Sequence, residues 1–194
     1  MNHIIVEDKL RDTNPVPVVI AFTPNYFIPA STCLYSIFAS LDTEEQMHVI
    51  CLLSEELPDR LKQKIQLIGG ERAQYSFINL QGRLQNIYID AKYTEAASYR
   101  LLLPDLLPEY DKVMYIDCDI IVRNNLVKLY RSVDLGNHYL AAVFEAPMDF
   151  QLGHLKAIGC HPDEYVNSGF LIMNLELMRR DNMVEKFIDA SKAD

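Results

Sequence analysis

Two runs of apolar residues restrict the fold of this chain more than any other feature. Val16 to Phe22 is continuously apolar and rich in β-branched side chains, and Met47 to Leu53 repeats the pattern. Such runs are typical of strands buried on both faces, as in a parallel sheet. A helix is predicted from 27 to 40, and apolar residues recur at helical spacing after the second run, at Leu57, Leu61, Ile65 and Ile68. This alternation predicts a largely parallel, three-layer α/β fold, in which ligands bind at the carboxyl ends of the strands.

The rest of the chain continues the alternation. Further strands are predicted at 74–80, 113–116, 139–144 and 170–174, and further helices at 95–103, 149–157 and 177–190. A chain of 194 residues that is 49% hydrophobic can bury one substantial core. We therefore expect one domain over residues 16–194, preceded by a polar extension over residues 1–15.

Composition limits the compartment and the partners. The net charge of -9, from 27 acidic and 18 basic residues, argues against nucleic acid or an anionic membrane surface as the main partner. Thr13 to Leu41 carries no charged residue, but its four prolines argue against a membrane span. The cysteines lack metal-type pairing and are expected to be buried, reduced thiols, at Cys33, Cys51, Cys118 and Cys160. A soluble cytoplasmic protein is expected.

Asp117 and Asp119 stand one residue apart in the strand-like segment from Lys112 to Val122. An extended chain places both on one side, and burying one unpaired charge costs about 1 to 4 kcal/mol. A divalent cation between them is one interpretation, because hard cations bind carboxylate oxygens. The other is that the pair ends a strand and orders a turn toward Asn124 and Asn125. The motif by itself leaves both open.

The seven glycines cannot form a Gly-x-Gly-x-x-Gly fingerprint or a P-loop. Any bound phosphate must therefore be held by side chains and metal, which favours the cation interpretation. Arg100 lies on a predicted helix with Thr94 as its N-cap and Pro104 as its end. Its guanidinium could bind a diphosphate or sugar hydroxyls through forked hydrogen bonds, or it is an ordinary solvated or carboxylate-paired helix arginine.

Two polar segments border the predicted strands. Asn167, Ser168 and Gly169 precede a buried strand, where small residues allow a ligand to approach the backbone. Spacing alone favours a plain turn in which Gly169 supplies an unusual backbone angle. After the first strand, Tyr26 could stack on a base that Asn25 reads, or it is simply a tyrosine at a helix start.

Four segments, taken together in order, resemble glycosyltransferase family 8, the retaining nucleotide-sugar transferases that include bacterial lipooligosaccharide galactosyltransferases and glycogenin. They are Ala21 to Tyr26, Ser98 to Leu101, Leu107 to Arg123, and Tyr165 to Leu175. The resemblance implies a GT-A fold. It also implies transfer of glucose or galactose from a UDP-sugar to an acceptor hydroxyl on a lipopolysaccharide or other cell-surface glycan, with retention of anomeric configuration.

The resemblance also implies roles for individual residues. Asp117 and Asp119 would bind Mn²⁺ or Mg²⁺, Tyr26 would stack on uracil, and Asn25 would contact the nucleotide. Arg100 and Glu145 are the implied catalytic residues, Arg100 holding the donor and Glu145 contacting its sugar. The implied nucleotide-sugar site comprises Ala21, Thr23, Asn25, Tyr26, Arg100, Asp117, Cys118, Asp119, Asn167, Ser168 and Gly169.

The chain departs from the family pattern at two places. Thr23 and Pro24 stand where relatives often carry an acidic residue that reads uracil, so another base is possible. The sequence stops at Asp194 within an apparent amphipathic helix, and we expect a C-terminal truncation. An Asp-Gln-Asp-type segment, a histidine metal ligand and a basic, aromatic tail would lie beyond it. That tail leaves open a peripheral contact with a glycolipid acceptor at the inner face of the membrane.

Two other functions fit part of the pattern. A non-catalytic UDP-sugar-binding fragment is one, because the residues expected near the reaction centre are missing. A Mg²⁺-dependent phosphatase of the haloacid-dehalogenase type is the other, since it also carries Asp-x-Asp at a strand end. Its motif usually lies on an early strand and has Thr or Val where this chain has Ile121, so it is the weaker candidate.

Overall fold

The computed structural model describes residues 14–84 and 95–191. Within these ranges the strands form one six-stranded sheet in the order β3-β2-β1-β4-β6-β5. The strands are β1 (Val16–Phe22), β2 (Met47–Leu53), β3 (Ala73–Asn79), β4 (Lys112–Asp117), β5 (Leu140–Phe144) and β6 (Val166–Asn174). Strands β1 to β4 pair in parallel, whereas β6 is antiparallel to both β4 and β5. The prediction of a mostly parallel sheet is therefore confirmed.

Helices cover both faces of this sheet. They are α1 (Phe27–Ala39), α2 (Asp59–Gln66), α3 (Glu95–Ser98), α4 (Leu103–Leu106), α5 (Leu126–Ser132), α6 (Asp149–Ala157), α7 (Leu175–Arg180) and α8 (Met183–Ala190). Short 3₁₀ turns lie at Pro24–Tyr26, Gly70–Arg72, Tyr99–Leu102 and Pro162–Glu164.

The core has two layers because side chains alternate along the strands. Val18 and Ile20 of β1 face a cluster that contains buried residues of α1, α2 and α5. Val19 and Ala21 face the opposite cluster, which contains residues of α3, α4 and α7. Burial on both faces is what the continuous apolar run of β1 predicts. The three-layer architecture is confirmed.

Several boundaries differ from the predicted ones. Pro104 does not end a helix: it lies in the first turn of α4, where a missing N–H costs nothing, and a 3₁₀ turn joins α4 to α3. The predicted helix over 177–190 is two helices, separated where Asn182 adopts a left-handed conformation with φ of 52°. Helix α5, capped by Asn125, was not predicted. Thr94, the predicted N-cap, lies outside the described residues.

The cysteines are free thiols, as predicted, and three of them are buried, whereas Cys160 is partly exposed. Burial raises the pKa of Cys33 to about 12. It also raises the pKa of Cys118 to about 11, so that both thiols stay protonated near neutrality. None of the helices in the described part of the chain combines the length and apolar character that a bilayer span requires.

Candidate functional site

Asp117 is the last residue of β4, at the edge of the sheet where the parallel strands end. It is level with Ala21 near the end of β1. Because β6 runs the opposite way, its first residues lie at this same edge. Ile116 pairs with Phe170. One residue further along this antiparallel pair, Gly169 lies opposite Asp117. The chain reversal therefore joins two motifs that are far apart in the sequence.

A cavity of about 430 Å³ opens at this edge. Its lining comprises Asp117, Asp119, Ile120, Val143, Phe144, Glu145, Asn167, Gly169 and Phe170. Three carboxylates and one amide thus share a single cavity with a few apolar side chains. The structure brings together five of the residues singled out from the sequence, namely Asp117, Asp119, Glu145, Asn167 and Gly169.

An irregularity in strand pairing borders the cavity. Ala142 of β5 pairs with Leu171 of β6, but the next residue, Val143, pairs with Asn167. Residues 168–170 therefore have no directly paired partner on β5. Such bulges bend a strand and interrupt its pairing. Here the bulge leaves Phe144 74% exposed beside the cavity.

Gly169 is needed for close approach, not for an unusual backbone angle. It lies inside β6 and is not one of the glycines with positive φ, so the interpretation as a plain turn is wrong. A Cβ atom at this position would lie 2.5 Å from Oδ2 of Asp117 and 3.0 Å from Oδ1 of Asn167. The Gly169 N–H donates to that same Asn167 oxygen at 2.8 Å. Any side chain here would displace the Asp117 carboxylate.

One oxygen of the Asp117 carboxylate is held by a hydrogen bond and a salt bridge. Tyr115 Oη donates to Oδ1 at 3.0 Å, and Arg100 Nη2 lies 3.4 Å from the same oxygen. Burial raises the pKa of the Tyr115 phenol, so it remains a proton donor. The Asp117 side chain is still 40% exposed, which leaves it accessible from the cavity.

Arg100 lies behind Asp117 and does not line the cavity. Its side chain is only 12% exposed. Nε donates to the carbonyl of Ala97 at 2.6 Å, and Nη1 donates to the carbonyl of Ser168. Arg100 therefore connects the helical segment before β4 to the start of β6.

Asp119 lies beyond the end of β4, in a turn, and is exposed. The strand-like segment from Lys112 to Val122 therefore forms a strand only as far as Asp117. Because Asp119 is exposed, the cost of holding the two carboxylates is smaller than burial of both would impose. The buried residue of the motif is Cys118 between them. Asp117 and Asp119 still face one cavity because the turn follows the strand directly.

The residues after β1 occupy the neighbouring position on the same edge. The Tyr26 N–H donates to the Thr23 carbonyl at 2.8 Å, closing the 3₁₀ turn. Asn25 is exposed, and Tyr26 is 44% exposed. Neither lines the cavity around Asp117. Asn25 and Tyr26, which are predicted to recognise the base, therefore lie on a surface next to that cavity.

Ser54 is a polar residue at this edge that sequence reasoning missed. It follows β2 directly. Because Phe22 pairs with Leu53 in parallel, the next residues, Thr23 and Ser54, are level with each other. Its Oγ is buried and has no hydrogen-bond partner among the residues that the structure describes. An unsatisfied buried hydroxyl costs about 1 to 3 kcal/mol. A single serine carries no sequence signal for this environment.

The acidic side chains suit a hard cation, but they do not complete a shell. Asp117 and Asp119 supply carboxylate oxygens, the donors that Mg²⁺ and Mn²⁺ prefer. No group of three His, Cys, Asp or Glu side chains able to hold a metal occurs in residues 14–84 and 95–191.

The sheet order, the reversed β6 and the acidic cavity at the end of β4 define a GT-A glycosyltransferase fold. The solved structure of galactosyltransferase LgtC, in complex with donor and acceptor sugar analogues, superposes with a TM-score of 0.73. It is 26% identical, and the match covers 91% of this chain and 65% of LgtC.

The family model for glycosyl transferase family 8 matches residues 17–194, and the chain belongs to this family. General stress protein A of Bacillus subtilis is 24% identical over 93% of this chain and 63% of its own length. The lipopolysaccharide 1,3-galactosyltransferase of Salmonella typhimurium is 24% identical over 57% of this chain and 34% of its own length. The chain thus spans less than two thirds of these relatives.

Proposed function

We propose that this chain forms the donor-binding part of a metal-dependent, retaining hexosyltransferase. The donor is a UDP-sugar carrying glucose or galactose, and the acceptor is a hydroxyl of a lipopolysaccharide or another cell-surface glycan. The observation that carries the proposal is the shared cavity, in which Asp117, Asp119, Glu145 and Asn167 meet at the carboxyl edge of the sheet. The lipopolysaccharide galactosyltransferase among the relatives supports this acceptor class.

The residues present fit a divalent cation. Oδ1 of Asp117 is occupied by Tyr115 and Arg100, whereas Oδ2 lies on the side of Gly169, which lines the cavity. Asp117 and Asp119 would hold Mn²⁺ or Mg²⁺, with water and the donor phosphates at the remaining positions. When bound, the cation supplies positive charge that stabilises the departing nucleoside diphosphate.

The polar groups around the cavity would bind and orient the donor. Asn167 uses its Oδ1 for the Gly169 amide, which leaves its NH₂ group for a sugar hydroxyl. The exposed Glu145 would accept hydrogen bonds from other sugar hydroxyls. Tyr26 offers an exposed ring for the base, with Asn25 beside it. Arg100 would act on the donor through Asp117 and Ser168, because its own nitrogens already contact protein atoms.

A donor-binding unit without turnover is a second candidate function. It is favoured by the metal-binding residues within the described ranges, 14–84 and 95–191, which do not include a group of three His, Cys, Asp or Glu side chains. For the whole protein, we propose a location in the cytoplasm or at the inner face of the membrane, where donor and lipid-linked acceptor would meet.

Thermal unfolding with UDP and Mn²⁺ tests the proposed site. UDP at about 100 times its dissociation constant stabilises the folded state by about 2.7 kcal/mol. This corresponds to a rise in the thermal midpoint of about 5 to 10 °C for a domain of this size. Asp117→Asn should abolish the rise. Asp111→Asn, at the opposite end of β4 where Asp111 pairs with Arg179 at the surface, should retain it.

The outcomes separate the candidate functions. If UDP raises the thermal midpoint equally in EDTA, the bridging cation is contradicted. If another nucleoside diphosphate raises the midpoint more than UDP does, uracil is not the preferred base. Metal-dependent release of UDP from UDP-glucose or UDP-galactose by the full-length protein would support the transferase. Release of phosphate from sugar phosphates would favour the phosphatase instead.

A further inference from the structure

We propose that Tyr115 is a positioning residue of the cation site. Its hydroxyl holds one oxygen of the Asp117 carboxylate, so that the other oxygen faces the metal. This inference rests on the proposed function, since it assigns a role around the cation proposed there. Neither the motif nor the family resemblance singled out Tyr115, which stands two residues before Asp117 in the strand.

The position of Tyr115 follows from the strand. Residues two apart on β4 point to the same face of the sheet, so Tyr115 and Asp117 are neighbours on one side. The Tyr115 side chain is buried in the cluster that contains α3, α4 and α7. A buried phenol needs a hydrogen-bond partner. The Tyr115 hydroxyl donates to Oδ1 of Asp117 at 3.0 Å.

Arg100 strengthens the arrangement from a second direction. Its guanidinium carbon lies 4.5 Å from the centre of the Tyr115 ring, within range of a cation–π contact. Nη2 of Arg100 lies 3.4 Å from the oxygen that Tyr115 contacts. The other terminal nitrogen donates to the carbonyl of Ser168, the residue before Gly169. The same pair of side chains therefore orients the carboxylate and ties it to the strand that passes in front of it.

The consequence is a carboxylate whose two oxygens have different tasks. Oδ1 accepts the hydrogen bond from Tyr115 and forms the salt bridge with Arg100, so rotation of the group about its χ2 bond would break both contacts. Oδ2 is directed to the Gly169 side, where no Cβ competes for the space. Partners that orient a metal-binding carboxylate in this way typically change metal affinity by about 10-fold to 100-fold when they are removed.

Tyr115→Phe isolates this role because it retains the buried ring and removes only the hydroxyl. Tyr75→Phe is the matched control. Tyr75 is a partly buried tyrosine on β3 whose hydroxyl donates to the carbonyl of Ile68 at 2.8 Å, away from the cavity. A purely structural hydroxyl would lower the thermal midpoint in both variants and leave cation binding unchanged.

The test measures Mn²⁺ binding by the electron paramagnetic resonance signal of free Mn²⁺, titrated with protein in the presence of UDP. We expect Tyr115→Phe to weaken Mn²⁺ binding by about 10-fold or more, and Tyr75→Phe to leave it within about 2-fold. The metal-free thermal midpoint, measured alongside, should fall by a similar small amount in both. Arg100→Lys, which retains the charge but loses the fork, should weaken Mn²⁺ binding in the same direction.

The controls distinguish failure of this inference from failure of the proposed function. If the wild-type chain does not bind Mn²⁺ with UDP, the proposed cation site is wrong. If the wild type binds and Tyr115→Phe binds equally well, only the positioning role is overturned. Equal weakening in Tyr115→Phe and Tyr75→Phe would also overturn it, because loss of a distant hydroxyl would then have the same effect.

Discussion

The two halves of the sheet are built differently. In the half formed by β3, β2 and β1, all strands are parallel and the pairing runs without interruption from Val16 to Phe22 and from Met47 to Leu53. In the half formed by β4, β6 and β5, the chain direction reverses and the pairing shifts at Ala142 and Val143. β1 and β2 are almost completely buried, whereas β5 and the start of β6 are largely exposed.

This difference separates the part of the sheet that buries most of the apolar core from the part that forms the candidate site. In the regular half, β1 and β2 bury apolar side chains on both faces, with His48 as a half-buried polar exception. The irregular half interrupts that packing and brings carboxylates, an amide and a glycine to one cavity. Functional residues commonly lie at such irregularities because bulges redirect side chains. The candidate site accordingly begins at β4, where the two halves meet.

The largest expected effect is loss of stability in the regular half. Ile20→Ala removes a fully buried side chain from the centre of β1, which should cost about 2 to 5 kcal/mol in free energy of unfolding. Ile28→Ala is the matched control, because Ile28 is 68% exposed on α1, and it should change stability by about 0.5 kcal/mol or less. Chemical denaturation measures both. Similar costs for the two variants would show that β1 does not carry the stability assigned to it.

A smaller effect on stability but a large one on binding is expected in the irregular half. Gly169→Ala would force the Asp117 carboxylate away, because the new Cβ lies 2.5 Å from Oδ2. We expect at least about a 10-fold loss of Mn²⁺-dependent UDP affinity, measured by calorimetry, as for other disturbances around metal ligands. Gly153→Ala, on α6 with no atom within 4 Å of the new Cβ, should retain affinity. Unchanged affinity in Gly169→Ala would place the donor elsewhere.

The smallest expected effect concerns a histidine in the regular half. His48 on β2 contacts Tyr110 Oη through Nδ1 at 2.5 Å and Ser76 Oγ through Nε2 at 2.8 Å. Burial lowers its pKa, against an opposing contribution from Glu109. Because the folded state then binds this proton less readily than the unfolded state, stability should fall as the pH drops below about 6.5.

His48→Gln removes this titration. Its thermal midpoint should therefore fall less than that of the wild type between pH 7.5 and pH 5.5. At pH 8 the two proteins should differ only through the altered hydrogen bonds to Tyr110 and Ser76. An identical pH dependence in both proteins would show that His48 is protonated equally easily in the folded and unfolded states.

Local sequence patterns predicted most helices and strands, but they did not predict where several of them begin or end. The predicted bounds of β1, β2 and α6 agree with the structure, because each depends on an apolar run or a local turn signal. The start of β6 was placed four residues late, since polar residues and glycine disfavour a strand locally. Pairing with β4 and β5 outweighs that preference.

The sequence by itself determined the α/β class, the family and the candidate acidic motif, because these depend on periodicity and on residue types at fixed spacing. Only the tertiary structure decided that β6 runs antiparallel beside β4, that Gly169 leaves space for Asp117, and that Arg100 supports the carboxylate from behind. These facts depend on strand direction, register and side-chain approach between distant segments. No local sequence pattern encodes such contacts, because the residues that make them are far apart in the sequence and each is compatible with its immediate neighbours whether or not the contact forms.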